Sequence, residues 1–402
     1  MTFTKSLLLG SAAVLVAAAS AQAADLPSKK AAPAQYVKIC DAAGAGYFYI
    51  PGSDTCLKIS GYVEVDTRGQ NIKTDTSTHR AANQFDISVD TEIDLDTVTK
   101  TAYGDLTSHI GYEADYGAAG SYNGGSLPAY IDKAYITFAG LTAGKVETLF
   151  NHIESGYNHA MFNPDYSVTA LQYTASFGGG FSATLSVEDS TQNRTGTTAT
   201  FNGGRSPDFV GQLAVKQGWG EAGLNAAYHN ASVDVSSTAK NTTGYGLGAY
   251  TKINLPTLAA GDFIGFQVNY DQNAIAFSGM TRSSQRFGIG ANNYDYVDGH
   301  NQTAWNVIAD LSHNWSPTVS TTVGGSYGEV RYANASTLGS TAWNYNAYAI
   351  GQVTKWTPVK GLEFGIDTTY IRYSDKLDAA QSVSGDKKSD DFQVDFRIIR
   401  TF

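Results

Sequence analysis

From Leu57 onward, apolar residues recur at every second position without ever forming a run long enough to cross a membrane as a helix. Leu57, Ile59, Gly61, Val63 and Val65 alternate with Lys58, Ser60, Tyr62, Glu64 and Asp66. Phe85, Ile87, Val89, Thr91, Ile93 and Leu95 alternate with Asp86, Ser88, Asp90, Glu92, Asp94 and Asp96. Successive side chains of a strand point to opposite faces, so this period selects strands with one apolar and one polar face. The same alternation returns at Leu106 to Tyr112, Leu224 to Tyr228, Ile264 to Tyr270, Trp305 to Leu311, Leu362 to Ile366 and Phe392 to Ile398. Outside Met1 to Ala23 no stretch of eighteen apolar residues occurs. A helical span is thereby excluded, and any membrane role falls to strands.

Tight Gly or Pro connections alternate with longer polar ones. The short set includes Thr101 to Gly104, Gly140 to Gly144, Gly178 to Gly180, Gly218 to Gly220, Ser316-Pro317 and Thr357 to Gly361. The long set includes Tyr116 to Leu127, Ser190 to Asp208, Ala231 to Lys240, Gln272 to His300, Ala333 to Ser340 and Lys376 to Lys388. Short turns at one rim and long loops at the other are the habit of outer-membrane barrels. The span from Leu57 to Phe402 has room for about 16 strands, at roughly 10 residues per membrane strand plus its connection. Alternation alone also fits a soluble sandwich. Three features favour a barrel with its apolar face outside. Aromatics cap the apolar faces at Tyr112, Tyr228, Tyr270, Trp305 and Phe402, as girdles at the two interfaces. The like charges Asp90, Glu92 and Asp94 share one row, which is tolerable beside water and costly in a packed interior. The chain also ends on Phe402 after an alternating strand, Asp391 to Arg397, which resembles the outer-membrane insertion signal.

The chain divides into residues 1–23, 24–56 and 57–402. Met1 to Ala23 carries Lys5, an apolar stretch from Leu7 to Ala19 and the small-x-small Ala21-Gln22-Ala23, the form of a cleaved export signal. Pro27, Lys29, Lys30 and Pro33 among alanines read as a linker. Cys40 and Cys56 are the two cysteines. In an oxidising compartment the pair reads as a disulfide closing Asp41 to Thr55 rather than a metal site, with two free thiols as the alternative. A formal charge of −10 and a pI near 5.1 exclude a nucleic-acid partner, since phosphate binding needs a basic field.

The block from Tyr36 through Cys40, Asp41-Ala-Ala-Gly-Ala-Gly-Tyr-Phe-Tyr-Ile-Pro-Gly-Ser-Asp-Thr-Cys56 to Tyr62 resembles the start of the general porins of alphaproteobacterial outer membranes. Lys5 to Ala13 and the terminal Phe402 are similar to that family too. The resemblance implies a 16-stranded antiparallel transmembrane β-barrel, an outer-membrane location, a homotrimer and passive diffusion of small hydrophilic solutes and ions, with no cofactor. It also implies a third long loop folded inward. By counting connections, that loop is Phe150 to Ser167, which places Glu154 and Asp165 at a constriction and Tyr157, Phe162 and Tyr166 against the wall. Lipid and the outer-membrane assembly machinery are the remaining expected partners.

In the register that turns Phe85, Ile87 and Val89 to lipid, the lumen receives Asp86, Asp90, Glu92, Asp94 and Asp96, joined by Glu64 and Asp66. Lys58, Arg68, Lys216 and Arg397 oppose them. The wall is acidic on balance, so weak cation selectivity is expected. Gly324-Gly-Ser326-Tyr-Gly328 fits a hydrolase nucleophile pattern, but the strand pattern continues where a helix is required. His109, His152, His159, His229, His300 and His313 lack metal-ligand spacing. No catalytic residue is assigned. The rivals are a solute-specific channel of the same fold and a secreted β-sandwich adhesin.

Overall fold

The computed structural model describes residues 38–74, 85–117, 129–153, 162–195, 206–231, 233–235, 238–240, 242–281, 295–297, 300–333, 344–375 and 388–402. The export signal and linker expected from the sequence lie outside them, as do Glu154 and Tyr157. Sixteen long strands follow the alternating segments. They are β1 Cys56–Thr74, β2 Phe85–Thr101, β3 Gly104–Tyr116, β4 Tyr130–Phe138, β5 Leu141–Glu147, β6 Ser167–Gly178, β7 Phe181–Glu188 and β8 Asp208–Gln217. The second half holds β9 Gly220–Asn230, β10 Thr243–Asn254, β11 Phe263–Gln272, β12 His300–Ser316, β13 Val319–Tyr332, β14 Tyr345–Val359, β15 Leu362–Asp375 and β16 Lys388–Thr401. Each is antiparallel to its neighbour in sequence, and β16 returns to pair with β1 from Tyr62↔Thr401 to Thr74↔Ser389. The sheet is closed, which leaves no edge among the sixteen.

Seven tight connections lie on one rim and eight long ones on the other. The 139–140 turn shows why the sequence permits this. Ala139 and Gly140 both have positive φ, 49° and 86°, the mirror-image geometry that matches strand twist in a two-residue hairpin. A Cβ at Gly140 would lie 2.8 Å from the Thr174 carbonyl oxygen, so only glycine fits there. The stretch 255–262 also belongs to the short-turn rim, and β1 and β2 follow one another at the long-loop rim, Thr74 to Phe85; neither connection is among those read from the sequence.

Outside, Ile87, Ile93, Leu185, Leu213, Leu224, Leu247 and Ile350 stand exposed around the circumference. A continuous apolar belt of this kind is stable against lipid and not against water. The capping aromatics Tyr112, Tyr228, Tyr270, Trp305 and Phe402 are exposed on the same face. Inside, the expectation of a uniformly polar face fails over β12 to β15. Ala304, Ile308, Val330, Ala347, Ala349, Ile371 and Tyr373 point inward there and are buried. They are apolar because chain inserted into the lumen packs on them.

Before β1, Cys40 and Cys56 form a disulfide with Cα atoms 6.0 Å apart. Phe48–Tyr49 pairs with the first residues of β1, Phe48 opposite Leu57 and Tyr49 opposite Cys56. This hairpin therefore occupies the sheet position that β16 leaves free below Tyr62.

Candidate functional site

The lumen has two unlike walls. On β1 to β3 the inward residues form continuous rows across the sheet: Lys58, Asp96 and His109; Tyr62, Glu92 and Glu113; Glu64, Asp90 and Asp115. Antiparallel partners share a face, so the every-other-residue acids of β2 stack into a ladder up the wall. Gly111 sits among them, where a Cβ would come within 2.9 Å of the Glu92 carboxylate. The charges are partly compensated. Arg397 donates from Nε to Asp66 at 2.7 Å and lies 3.0 Å from Glu64. Arg68 donates to Asp395 at 2.9 Å. His109 lies 2.8 Å from Asp96 and stacks on Tyr135. Asp94 and Asp96 keep 22% and 24% of their side-chain surface, which leaves this wall wet. Glu64, Asp66 and Asp90 bring one oxygen each within 4.8 Å, the one such trio among the described residues. Arg397 already pairs with two of the three, Glu64 and Asp66, so a metal would have to displace a bonded guanidinium.

The opposite wall is dry. The connection between β5 and β6 is the third long loop, and both of its described limbs lie inside the barrel. Phe150 is fully buried, its carbonyl accepting from Gln267 Nε2 of β11 at 2.6 Å. Gln212 of β8 donates to the Leu149 carbonyl at 3.2 Å. His152 stacks on Tyr250 of β10, with Nε2 3.0 Å from Asn225 Nδ2 and 2.8 Å from the Leu149 carbonyl oxygen. Burial lowers the His152 pKa to about 4, overriding that carbonyl contact. On the returning limb, the Phe162 backbone donates to Ser326 Oγ of β13 at 3.3 Å, its carbonyl accepts from Asn306 of β12, and its ring meets Tyr373 of β15 edge-on. The limbs thus reach strands far round the barrel from β5.

A second segment enters beside the first. Residues 273–281, between β11 and β12, contain a single helical turn, Ile275–Ser278, all of it buried. Phe277 packs on Phe150 and, edge-on, on Tyr166, and Tyr345 donates to the Met280 carbonyl at 2.6 Å. Inward glycines make the seat. A Cβ at Gly246 would be 2.7 Å from the Phe277 Cβ, one at Gly248 3.2 Å from the Phe150 ring, and one at Gly328 2.3 Å from the Met280 sulfur. At the long-loop rim His229 is fully buried between two carboxylates, 2.6 Å from Asp208 and 3.4 Å from Asp295. Asp295 also accepts from the backbone of Ile275 at 2.9 Å and of Thr195 at 2.8 Å. One histidine therefore joins the wall, the loop after β7 and the inserted segment.

Of the residues singled out in the sequence, Glu64, Asp66, Arg68, Asp86, Asp90, Glu92, Asp94 and Arg397 come together on the wet wall. Lys58 stands at its short-turn end. Lys216 lies apart on β8, 3.2 Å from Glu221 and mostly exposed. Asp165 and Tyr166 are on the returning limb, where the Tyr166 carbonyl accepts from Thr148 N at 3.1 Å and closes the loop's base. Ser326 lies mid-strand, paired with Ile308 and Ala349, without the sharp turn a nucleophile elbow requires. The segment 273–281 and the Asp208–His229–Asp295 cluster were missed. The apolar run Ala274 to Phe277 inside a long loop was the available signal.

The profile of the Porin subfamily matches residues 25–395. Porin Omp2b of Brucella suis biovar 1 is 38% identical over 240 residues, 56% of this chain and 65% of that protein. The match spans just under two thirds of that relative's length. The outer membrane channel DcaP of Acinetobacter baumannii has a similar structure, with a TM-score of 0.67 at 17% identity over 88% of this chain and 99% of that one. An anion-selective porin from Comamonas acidovorans reaches 0.52 at 11% identity over 87% and 100%. At such identities these two likenesses concern the barrel alone.

Proposed function

The chain is a bacterial outer-membrane β-barrel of the Porin subfamily, and on that premise we propose that it forms a water-filled channel for passive diffusion of small hydrophilic solutes and ions, with a weak preference for cations. The observation that carries the selectivity is the division of the lumen. Both inserted segments lean on β8 to β15, so the wet cross-section is bounded by the carboxylate ladder of β1 to β3. Glu154 and Asp165 add acid from the inward loop, with Tyr157 and Tyr166 against the wall, while Lys58, Arg68, Lys216 and Arg397 temper it. A unit charge a few ångströms away through water is worth about 1 kcal/mol, and salt screens it over about 8 Å. That magnitude gives a bias rather than a barrier. The second inserted segment narrows the lumen further, which favours a solute-specific channel as the alternative; permeation of a graded series of sugars separates the two.

A homotrimer is part of the same reading. Lys145, whose neighbour Val146 points inward, lies on the outward face of β5 in register with Thr169, its Nζ donating to the Ile131 carbonyl at 2.7 Å, on the shortest barrel strand. An outward lysine at membrane depth costs about 2–4 kcal/mol against lipid, and a neighbouring subunit over this face removes that cost. Residues 1–23 act as the export signal, 24–56 as the linker and stapled segment, and Phe402 as the mark read by the assembly machinery. The test of selectivity is the reversal potential under a salt gradient. The wild type should show a cation-selective sign that fades as salt rises, and Glu154→Lys with Asp165→Lys should move it toward anions. Anion preference at low salt, or an unmoved potential in the double variant, overturns the charge assignment.

A further inference from the structure

The stapled hairpin before β1 does more than precede the barrel. Because Phe48 opposes Leu57 and Tyr49 opposes Cys56, Tyr47 stands beside Lys58 on the lumenal face. Its place extends an inward row that runs through Lys58, Asp96, His109 and Tyr135 across four strands. That row lies toward the short-turn rim, followed by the inward rows of Cys56, Val98 and Thr107 and of Lys100 and Asp105, and this rim faces the periplasm in such barrels. Tyr47 is firmly held. Its carbonyl accepts from the backbone of Cys40, a half-cystine, at 2.9 Å, while Tyr49 donates to Lys38 at 2.8 Å. At the other end of the hairpin, the Thr55 and Thr99 hydroxyls lie 2.9 Å apart, tying it to β2. Gly46 packs on the Lys58 stem, where a Cβ would be 3.8 Å from Cγ and Cδ. Burial, then the Asp96 carboxylate and Tyr135, raise the pKa of the Tyr47 phenol, as expected of a ring on the lumenal side near both.

The geometry points to a second constriction at the periplasmic mouth, formed by Tyr47 together with Lys58, Asp96, His109 and Tyr135 and held in place by the Cys40–Cys56 staple. The inward loop and its neighbour narrow the lumen from the long-loop side, and this row narrows it where solute leaves. The disulfide's role is then to fix an aromatic residue in the permeation path; sixteen paired strands do not need it to close. A tyrosine beside one ammonium, with a carboxylate on that ammonium's far side, filters by size and by weak charge bias, so the permeating class is small polar solutes able to pass both narrowings in turn.

This inference rests on the channel reading, and the experiment separates the two. The full-length protein is reconstituted in planar bilayers as wild type, Tyr47→Ala, Tyr47→Lys and the double variant Cys40→Ala, Cys56→Ala. Heat-modifiable migration on gels confirms that each barrel is closed. Tyr47→Ala and the double cysteine variant are expected to raise single-channel conductance. Tyr47→Lys is expected to change the cation-to-anion permeability ratio by about twofold at low salt, the effect of one charge across several ångströms of water. Wild-type conductance in either Tyr47→Ala or the double cysteine variant, or an unchanged ratio in Tyr47→Lys, overturns the second constriction. A closed wild-type barrel that passes no current overturns the channel reading instead.

Discussion

Acidification should loosen the inward loop through His152. This residue lies on the loop, outside the spanning strands, in contact with Tyr250, Gln212 and Asn225, and its pKa falls from 6.5 to about 4 because burial disfavours the imidazolium. A released loop would carry a histidine titrating near 6.5. Between those two values the released state binds a proton that the packed state refuses, so packing is fully stable above pH 6.5 and weakens progressively as pH drops toward 4. The interval corresponds to about 3 kcal/mol, of which about 2 survives screening by lumenal water around a partly exposed ring. That is a factor of roughly 30 in the ratio of packed to released loop. The assay is open-channel current noise in planar bilayers from pH 7.5 to 4. Wild type should show growing flicker below pH 6, and His152→Phe, which keeps the ring on Tyr250 and cannot be protonated, should stay quiet until lower pH. Equal flicker in both, or none in the wild type, would refute the argument.

Two further outcomes follow from buried or outward charge. His229→Ala leaves Asp208 and Asp295 buried without the imidazole that joins them, and breaking a buried pair of this kind costs about 3–5 kcal/mol, so protease should cut the loop after β11 faster on intact cells while the barrel keeps its heat-modifiable migration; unchanged protection would count against the keystone role. Unheated protein in mild detergent should run as a trimer that Lys145→Glu weakens, and monomers alone, or a variant trimer as stable as wild type, would count against the β5 face as a contact.

The strands were legible because a period of two is imposed by geometry on any sheet with unlike faces. Asp86 to Asp96 on β2 and Asp391 to Arg397 on β16 could be placed from spacing alone. The inward loop was found by counting connections under a family resemblance, since nothing local in Phe150 to Ser167 says which way a loop folds. Period two has a blind side as well. It separates two faces of a strand without saying what covers each one, and so the inward Ala347, Ala349 and Ile371 carry no mark that inserted chain packs on them. Gly246, Gly248 and Gly328 looked like ordinary strand glycines. Their reason is steric and long-range, the seat for Phe277, Phe150 and Met280, and it appears only once the loops are in place. His229 was unreadable for the same reason, because Asp208 and Asp295 lie far from it in sequence.

The central claim is a closed barrel whose lumen, though narrowed by two inserted segments, remains a path for ions along the β1 to β3 wall. Single-channel recording of heat-modifiable protein in planar bilayers tests it most directly. Discrete, reproducible current steps whose size grows with salt concentration are the predicted result. Closed barrels inserted in the bilayer that pass no current would contradict it.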